Sequence, residues 1–398
     1  MSGPLSGIRV IDVSNVLAGP VAGQVLGDYG AEVIKIEHPQ HLDGLRNLGK
    51  QIDGTGIWWK VISRNKKVVG LNIGCEEGQE VFRKLVGSCD VVIENFRPGT
   101  MEKWNLDFPS IASINKRVIL LRITGFGQDG TYANRPAFGT LIEAMSGFAQ
   151  SMGEANGPPV LPPLGLADSL AGISGALAVV MALYHRDRNG GSGLGQEIDL
   201  SILEPLVSIM SPQPSVYDKT GELPARMGNK SDLNAPRNLY RTRDGKWIAM
   251  STSTTQIAER VMRCIGHGKV CDQEWFSSGQ GRVERADLLD GLVAEWVAQR
   301  DRDQVIELFE EAQAAVGPVY SVAELMADPH AISRGIFQRV PDDELGSVLM
   351  PGLLFRMSQT PGEIRFAGKK PGSDTLSVLA DIGVSEEDLV ELRSIGVI

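Results

Sequence analysis

Several things that announce a function are scarce in this 398-residue chain. It has four cysteines, Cys75, Cys89, Cys264 and Cys271, and no CxxC among them. Their spacing fits neither a zinc site nor a dense disulfide frame, so they read as reduced thiols of a cytoplasmic protein. There are five histidines and no HxH or HExxH pattern, so no metal site is expected. Positive charge is not in excess: the formal net charge is −10. That argues against a nucleic-acid partner, but not against anionic small molecules held by local patches. No GxSxG occurs, and "GISGA" (172–176) lies inside an apolar run, where small residues serve close helix packing. The opening "MSGPLSGIRVIDV" has neither a basic n-region nor an apolar h-region and does not read as a signal peptide. The longest uncharged apolar run, 170–184, falls short of the ~20 residues that span a bilayer, so a core helix is expected and no membrane partner.

What is present is an alternation of strand and helix signals. "IRVIDV" (8–13) reads as a buried strand, "GPVAGQVLGDYGA" (19–31) as a helix opened by Gly-Pro, and "EVIKIE" (32–37) as a second strand. Further strands are expected at 66–73, 90–96, 117–127 and 195–203, with an amphipathic helix at 76–89 and long helices at 138–152 and 169–186. This is an α/β pattern, a mostly parallel sheet covered on both faces, whose ligands sit beyond the C-terminal strand ends. The Pro/Ser/Gly/Asn-rich segment 211–236 reads as a linker. After it, Asp244-Gly245 between alternating residues marks a hairpin, helices are expected at 254–266 and 286–315, and a second hairpin at 337–352. Ser385 followed by two acids opens a last helix.

The turn after the first strand reads "SNVLAGPVAG" rather than GxGxxG, so an ordinary dinucleotide site is not expected despite Glu37 ending the second strand. "SRNKK" (63–67) and "ENFRPG" (94–99), with Lys103 beyond, are either loop punctuation or anchors for a large anionic ligand. Asp168 heads the apolar run. It is either a helix N-cap, a role for which Ser169 competes, or a carboxylate nucleophile or base at a helix start.

Eight segments in order resemble the family III CoA transferases, also called the CaiB/BaiF family. They run from "PLSGIRVIDVSNVLAGPVAGQVLGDYGAEVIKIEHP" through "SRNKKVVGLNI", "DVVIENFRPGTMEKW", "ITGFGQDGTYANRPAF", "GQEIDLSILEP", "TRDGKWIAMS" and "DPHAISRG" to "MPGLLFRMSQTPGEIR". The resemblance implies a large Rossmann-like domain built from both chain ends (1–210 and 330–398), a smaller inserted α+β domain (225–325), and an interlocked homodimer. It implies that Asp168, in "GLADSLAG", attacks an acyl-CoA, and that CoA passes to a carboxylic acid through anhydride and aspartyl-CoA thioester intermediates. No cofactor is held tightly, since coenzyme A arrives as substrate. By matched position, CoA would contact Val16, Ala18, Leu71, Asn95, Phe96, Arg97, Thr100 and Lys103. His38 stands where some relatives carry an arginine near the adenine, and Arg46 matches a recurrent arginine after the second strand. Asn15 and Leu17 replace the histidine and glutamine of formyl-CoA transferases, 251–256 reads "STSTTQ" in place of their glycine-run loop, and Gly74 replaces a lysine. Formate and oxalate are therefore not the expected acids; these residues do not identify donor or acceptor, and succinyl-CoA with a small dicarboxylic or branched acid is the candidate on metabolic grounds alone. The family's α-methylacyl-CoA racemases need a histidine about thirty residues before the aspartate, and none lies between His41 and His185. Racemisation and a non-catalytic CoA-binding role remain the alternatives.

Overall fold

A computed structural model describes residues 3–398. Six strands, Arg9–Asp12 (β1), Glu32–Glu37 (β2), Lys66–Gly70 (β3), Val91–Glu94 (β4), Ile119–Thr124 (β5) and Glu197–Ser201 (β6), form one parallel sheet. Their order is β3-β2-β1-β4-β5-β6, so chain direction across the sheet reverses between β1 and β4. A doubly wound sheet opens a crevice at such a reversal, outside the C-terminal strand ends.

Side chains alternate across the strands and both faces are apolar, as a covered parallel sheet requires. Ile11 and Val13 share one core with Ile34, Ile36, Val69 and Val92. Val10 faces the other way, with Val33, Val91 and Ile119. The first face is sealed by helix Glu76–Val86 (α2), whose Val81, Phe82, Leu85 and Val86 fall on one side. Glu76 and Glu77 begin that helix and Arg83 and Lys84 end it, matching its dipole. The C-terminal segment returns to the same face: Val378, Leu379, Leu389 and Val397 enter that core, and Asn72 donates its amide to the Val397 carbonyl at 2.8 Å. The second face carries helix Ala18–Asp28 (α1), a short helix Gly139–Met145 (α3) and the long helix Leu166–Asp187 (α4). Each large apolar side chain so buried contributes roughly 1.5–3 kcal/mol.

The chain divides into two compact units. The first runs to Phe148 and adds Leu161–Thr220 and Ile332–Ile398. It holds the six-stranded sheet and the hairpin Phe337–Asp342/Gly346–Pro351. The second comprises Ala149–Val160 and Gly221–Ala331. Its antiparallel sheet pairs Trp247–Ser251 with Arg237–Arg241 and Val316–Pro318, over a core that includes Ile248, Met250, Phe276, Leu289 and Phe309.

Three local expectations need correction. The helix at 138–152 is two short pieces, Gly139–Met145 and Phe148–Ser151, because Gly147 turns left-handed at φ 91° between them. The linker at 211–236 opens with a helix, Gln213–Thr220. Helix α4 starts at Leu166, three residues before the expected start, and runs 22 residues at mean hydropathy 1.8, long and apolar enough by those measures to cross a membrane. One such helix is weak evidence for a span, and this one lays Ala171, Gly175, Ala176 and Val179 into the protein core.

Candidate active site

The N-cap of α4 is Gly165, which offers no side chain, and neither Asp168 nor Ser169 caps the helix. Asp168 lies inside the first turn and is partly buried. Its neighbours come from α3. A Cβ added to Gly139 would lie 2.2 Å from Asp168 Oδ2, so the carboxylate rests on glycine backbone and would have to move for any larger residue. Four residues on, and therefore on the same helical side, is Glu143, 2% exposed. Its Oε1 accepts the Ala167 amide at 3.2 Å. Burial, and then the charge of Glu143, push Asp168 up to about 6, while the Gly139 backbone amide pulls the other way. Loss of water is the largest cause of the rise. A carboxylate with this pKa is still mostly ionised at neutral pH and is more basic than a solvated one.

The crevice at the strand reversal is a cleft of about 200 Å³. Asn15, His38, Leu71 and Phe96 line it, each just beyond the C-terminal end of β1, β2, β3 or β4. Gly74 and Trp104 complete the wall, and Phe96 packs edge-on against Trp104 at 5.3 Å. His38 Nδ1 accepts the amides of Gln40 and His41, which leaves Nε2 as the protonated nitrogen. Burial and the adjacent His41 lower the pKa of this ring. Val16 and Ala18 do not line the cleft; they follow Asn15, which does, and lead into α1, which packs on α4. Ala18 begins α1, and Leu17 between them packs so closely on Gly165 that an added Cβ there would sit 2.4 Å from Leu17 Cδ2.

The remaining expected contacts divide in two. Arg97 and Lys103 are exposed and carry no ion pair among the described residues, and Thr100 opens the helix Thr100–Lys103 behind Gly99. Arg46 and Asn95 are spent inside the protein. The Arg46 guanidinium grips Glu37, reaches the Lys369 carbonyl and stacks 3.4 Å over Trp59. Asn95 bonds both the amide and the carbonyl of Asn15, at 2.7 and 2.8 Å. Their side chains hold loops.

Sequence reading missed Glu143, which looks like the polar side of a surface helix, and Gly139, one glycine among 46. It also missed the buried charges beneath the cleft. Lys66 pairs with Asp12 at 2.8 Å and Lys35 with Asp43 at 3.1 Å, all four side chains wholly buried. The signal for these was a lysine in the middle of an apolar strand, "EVIKIE".

The model of CoA-transferase family III matches residues 5–375. The chain is 37% identical to a succinyl-CoA–L-malate CoA-transferase alpha subunit of Chloroflexus aurantiacus, over 98% of this chain and 92% of that one. It is 36% identical to a succinyl-CoA–D-citramalate CoA-transferase of the same organism, over 98% and 97%. A crystal structure of a CaiB/BaiF family protein from Brucella suis superposes with a TM-score of 0.83 at 30% identity, covering 96% of this chain and all of that one. Doubly wound sheet, returning C-terminus and full-length similarity agree: the chain belongs to CoA-transferase family III.

Proposed function

We propose that the protein moves CoA from succinyl-CoA to a short dicarboxylic acid, with Asp168 as nucleophile. One observation carries the reading: a partly buried carboxylate, ionised at neutral pH but made more basic by burial, sits in a helix turn packed against the corner that leads into the cleft. The donor and acceptor class rest on the relatives, which are named for succinyl-CoA and for malate or citramalate.

In the proposed cycle Asp168 attacks the thioester carbonyl. The carbon–sulfur bond breaks, CoA thiolate leaves, and a mixed anhydride remains. The thiolate then attacks the aspartyl carbonyl, releasing succinate and leaving an aspartyl-CoA thioester. The acceptor carboxylate attacks that thioester, forming a second anhydride and freeing the thiolate again. Attack of thiolate on the acceptor's acyl carbon yields the new acyl-CoA and restores Asp168. At every stage one carbonyl, first the donor's, then that of Asp168, then the acceptor's, is held as a thioester or anhydride, so no ATP is needed. A site drained of water strengthens a weak nucleophile and protects both anhydrides from hydrolysis.

The working form is proposed to be a homodimer in the cytoplasm. Helix α4 leaves Ile173, Leu177, Val180, Met181 and Tyr184 exposed along one side, a stripe suited to a second copy. All four cysteines are free thiols, which supports a reducing compartment.

Intact-mass measurement after incubation with an acyl-CoA panel, followed by hydroxylamine trapping, tests the cycle. The expected result is a CoA-sized adduct with succinyl-CoA, absent in Asp168→Ala although that variant still shows a CoA-induced melting shift. Deuterium entering the α-carbon of a 2-methylacyl-CoA, with no adduct, would establish the racemase instead. A melting shift with neither result would leave a binding protein.

A further inference from the structure

The corner joining β1 to α1 is strained. Val16 has φ 66°, a left-handed conformation that a β-branched residue avoids. Such a residue persists only where its surroundings over-determine it. Here they do. Asn95 holds the backbone of Asn15 on both sides. Asp43 Oδ1 accepts the Val16 amide at 2.9 Å, and the Leu45 amide at the same distance. The other Asp43 oxygen meets Lys35 Nζ at 3.1 Å, and Lys35 also donates to the Ser14 carbonyl. Lys35 stands in the middle of β2, so the clamp is anchored in the sheet itself.

A buried ion pair contributes little net stability, since desolvation offsets most of its attraction. What this pair does is impose one backbone shape on three residues. Of those three and their successor, Asn15 faces the cleft and Leu17 presses on the cap of the Asp168 helix.

We propose that the Lys35–Asp43 pair is a positioning device for the acyl-CoA site: it holds Val16 in the left-handed conformation that sets Asn15 against the cleft and Leu17 against the Asp168 turn. The inference rests on the CoA-transferase reading above. Neither side chain touches substrate.

Glycine adopts the left-handed conformation freely, so Val16→Gly makes the clamp redundant if holding that corner is its task. The experiment is a double-mutant cycle of Asp43→Asn and Val16→Gly, read as KM for succinyl-CoA, kcat, and CoA-induced melting shift. Asp43→Asn in the native background is expected to raise KM about tenfold or more and to lower kcat. In the Val16→Gly background it should cost less than about threefold. Equal costs in both backgrounds overturn the proposal, as does a folded Asp43→Asn with unchanged KM. An Asp43→Asn chain that stays unfolded whether residue 16 is valine or glycine also overturns it, because the pair then serves overall stability. The native protein is measured alongside: if it transfers no CoA, the transferase reading fails, while the melting shifts still report on the corner.

Discussion

Glu143 sets a second buried carboxylate beside Asp168: it accepts the amide of Ala167, one residue earlier, and its charge adds to the burial that raises the Asp168 pKa. Asp168 is thus kept basic by burial and by an acid on a different helix.

The pH profile follows. As the proposed nucleophile Asp168 must be ionised to attack, so the rate of thioester adduct formation should fall about tenfold per pH unit below about 6 and level off above it. Glu143→Gln removes the neighbouring charge and should move the half-maximal pH downward. Stability runs the opposite way. A carboxyl raised above its ordinary 3.8 contributes stability at low pH that is lost as pH rises through about 6. At pH 7.5, Asp168→Asn should therefore be more stable than the native protein by on the order of 2 kcal/mol, measured by urea unfolding.

Gly139→Ala tests the seat of Asp168, the proposed nucleophile. The added methyl would lie 2.2 Å from Asp168 Oδ2, so the carboxylate must move. A misplacement of about 1 Å costs on the order of 100-fold in rate. The expected variant keeps its circular dichroism spectrum and its CoA-induced melting shift but loses adduct formation by about that factor.

Glu94 gives a pH effect away from the chemistry. It ends β4 fully buried, bonds Arg122 at 2.7 Å and accepts the Phe96 amide at 2.6 Å. Burial, only partly offset by Arg122, pushes it up to about 7. Its contribution to stability is complete below its ordinary value of 4.5 and is lost as pH rises through about 7. Unfolding free energies of the native protein and Glu94→Gln, compared between pH 5 and 8.5, should diverge: the native protein loses stability relative to the variant across that window.

The apolar stripe on α4 predicts assembly. Leu177, 56% exposed, and Met181, 61% exposed, are one turn apart. Leu177→Glu should shift the protein from dimer to monomer in light scattering coupled to gel filtration, with the secondary structure retained. A native protein that is monomeric at micromolar concentration would remove the basis for the homodimer.

The strand–helix alternation was plain in the sequence because the apolar runs around Ile11, Val92 and Leu120 are buried whatever their partners. Asp168 was visible as a lone acid heading an apolar helix, and the family resemblance gave it a role. Its place inside the first turn was not visible, since nothing in "PPLGLAD" marks Gly165 as the cap. Lys35, Glu37, Asp43 and Lys66 were illegible as a group. Each finds its partner on another strand or loop: the fold of the loop after β2 brings Asp43 to Lys35 and Arg46 to Glu37, and the order β3-β2-β1 brings Lys66 to Asp12. Glu143 hid for the same reason: its meaning comes from Ala167 and Asp168 on a helix it does not belong to.

The return of the C-terminal segment to the first sheet face has a consequence for how the chain is made. Ile34 and Val69 emerge early from the ribosome, yet Val378, Leu389 and Val397, which cover the same core, are translated more than 300 positions after them. At roughly 5–20 residues per second, the part of that face which α2 does not cover waits on the order of tens of seconds for its cover. A growing chain carries a partly covered core through most of its synthesis, and this interval is where chaperone contact or aggregation would be decided.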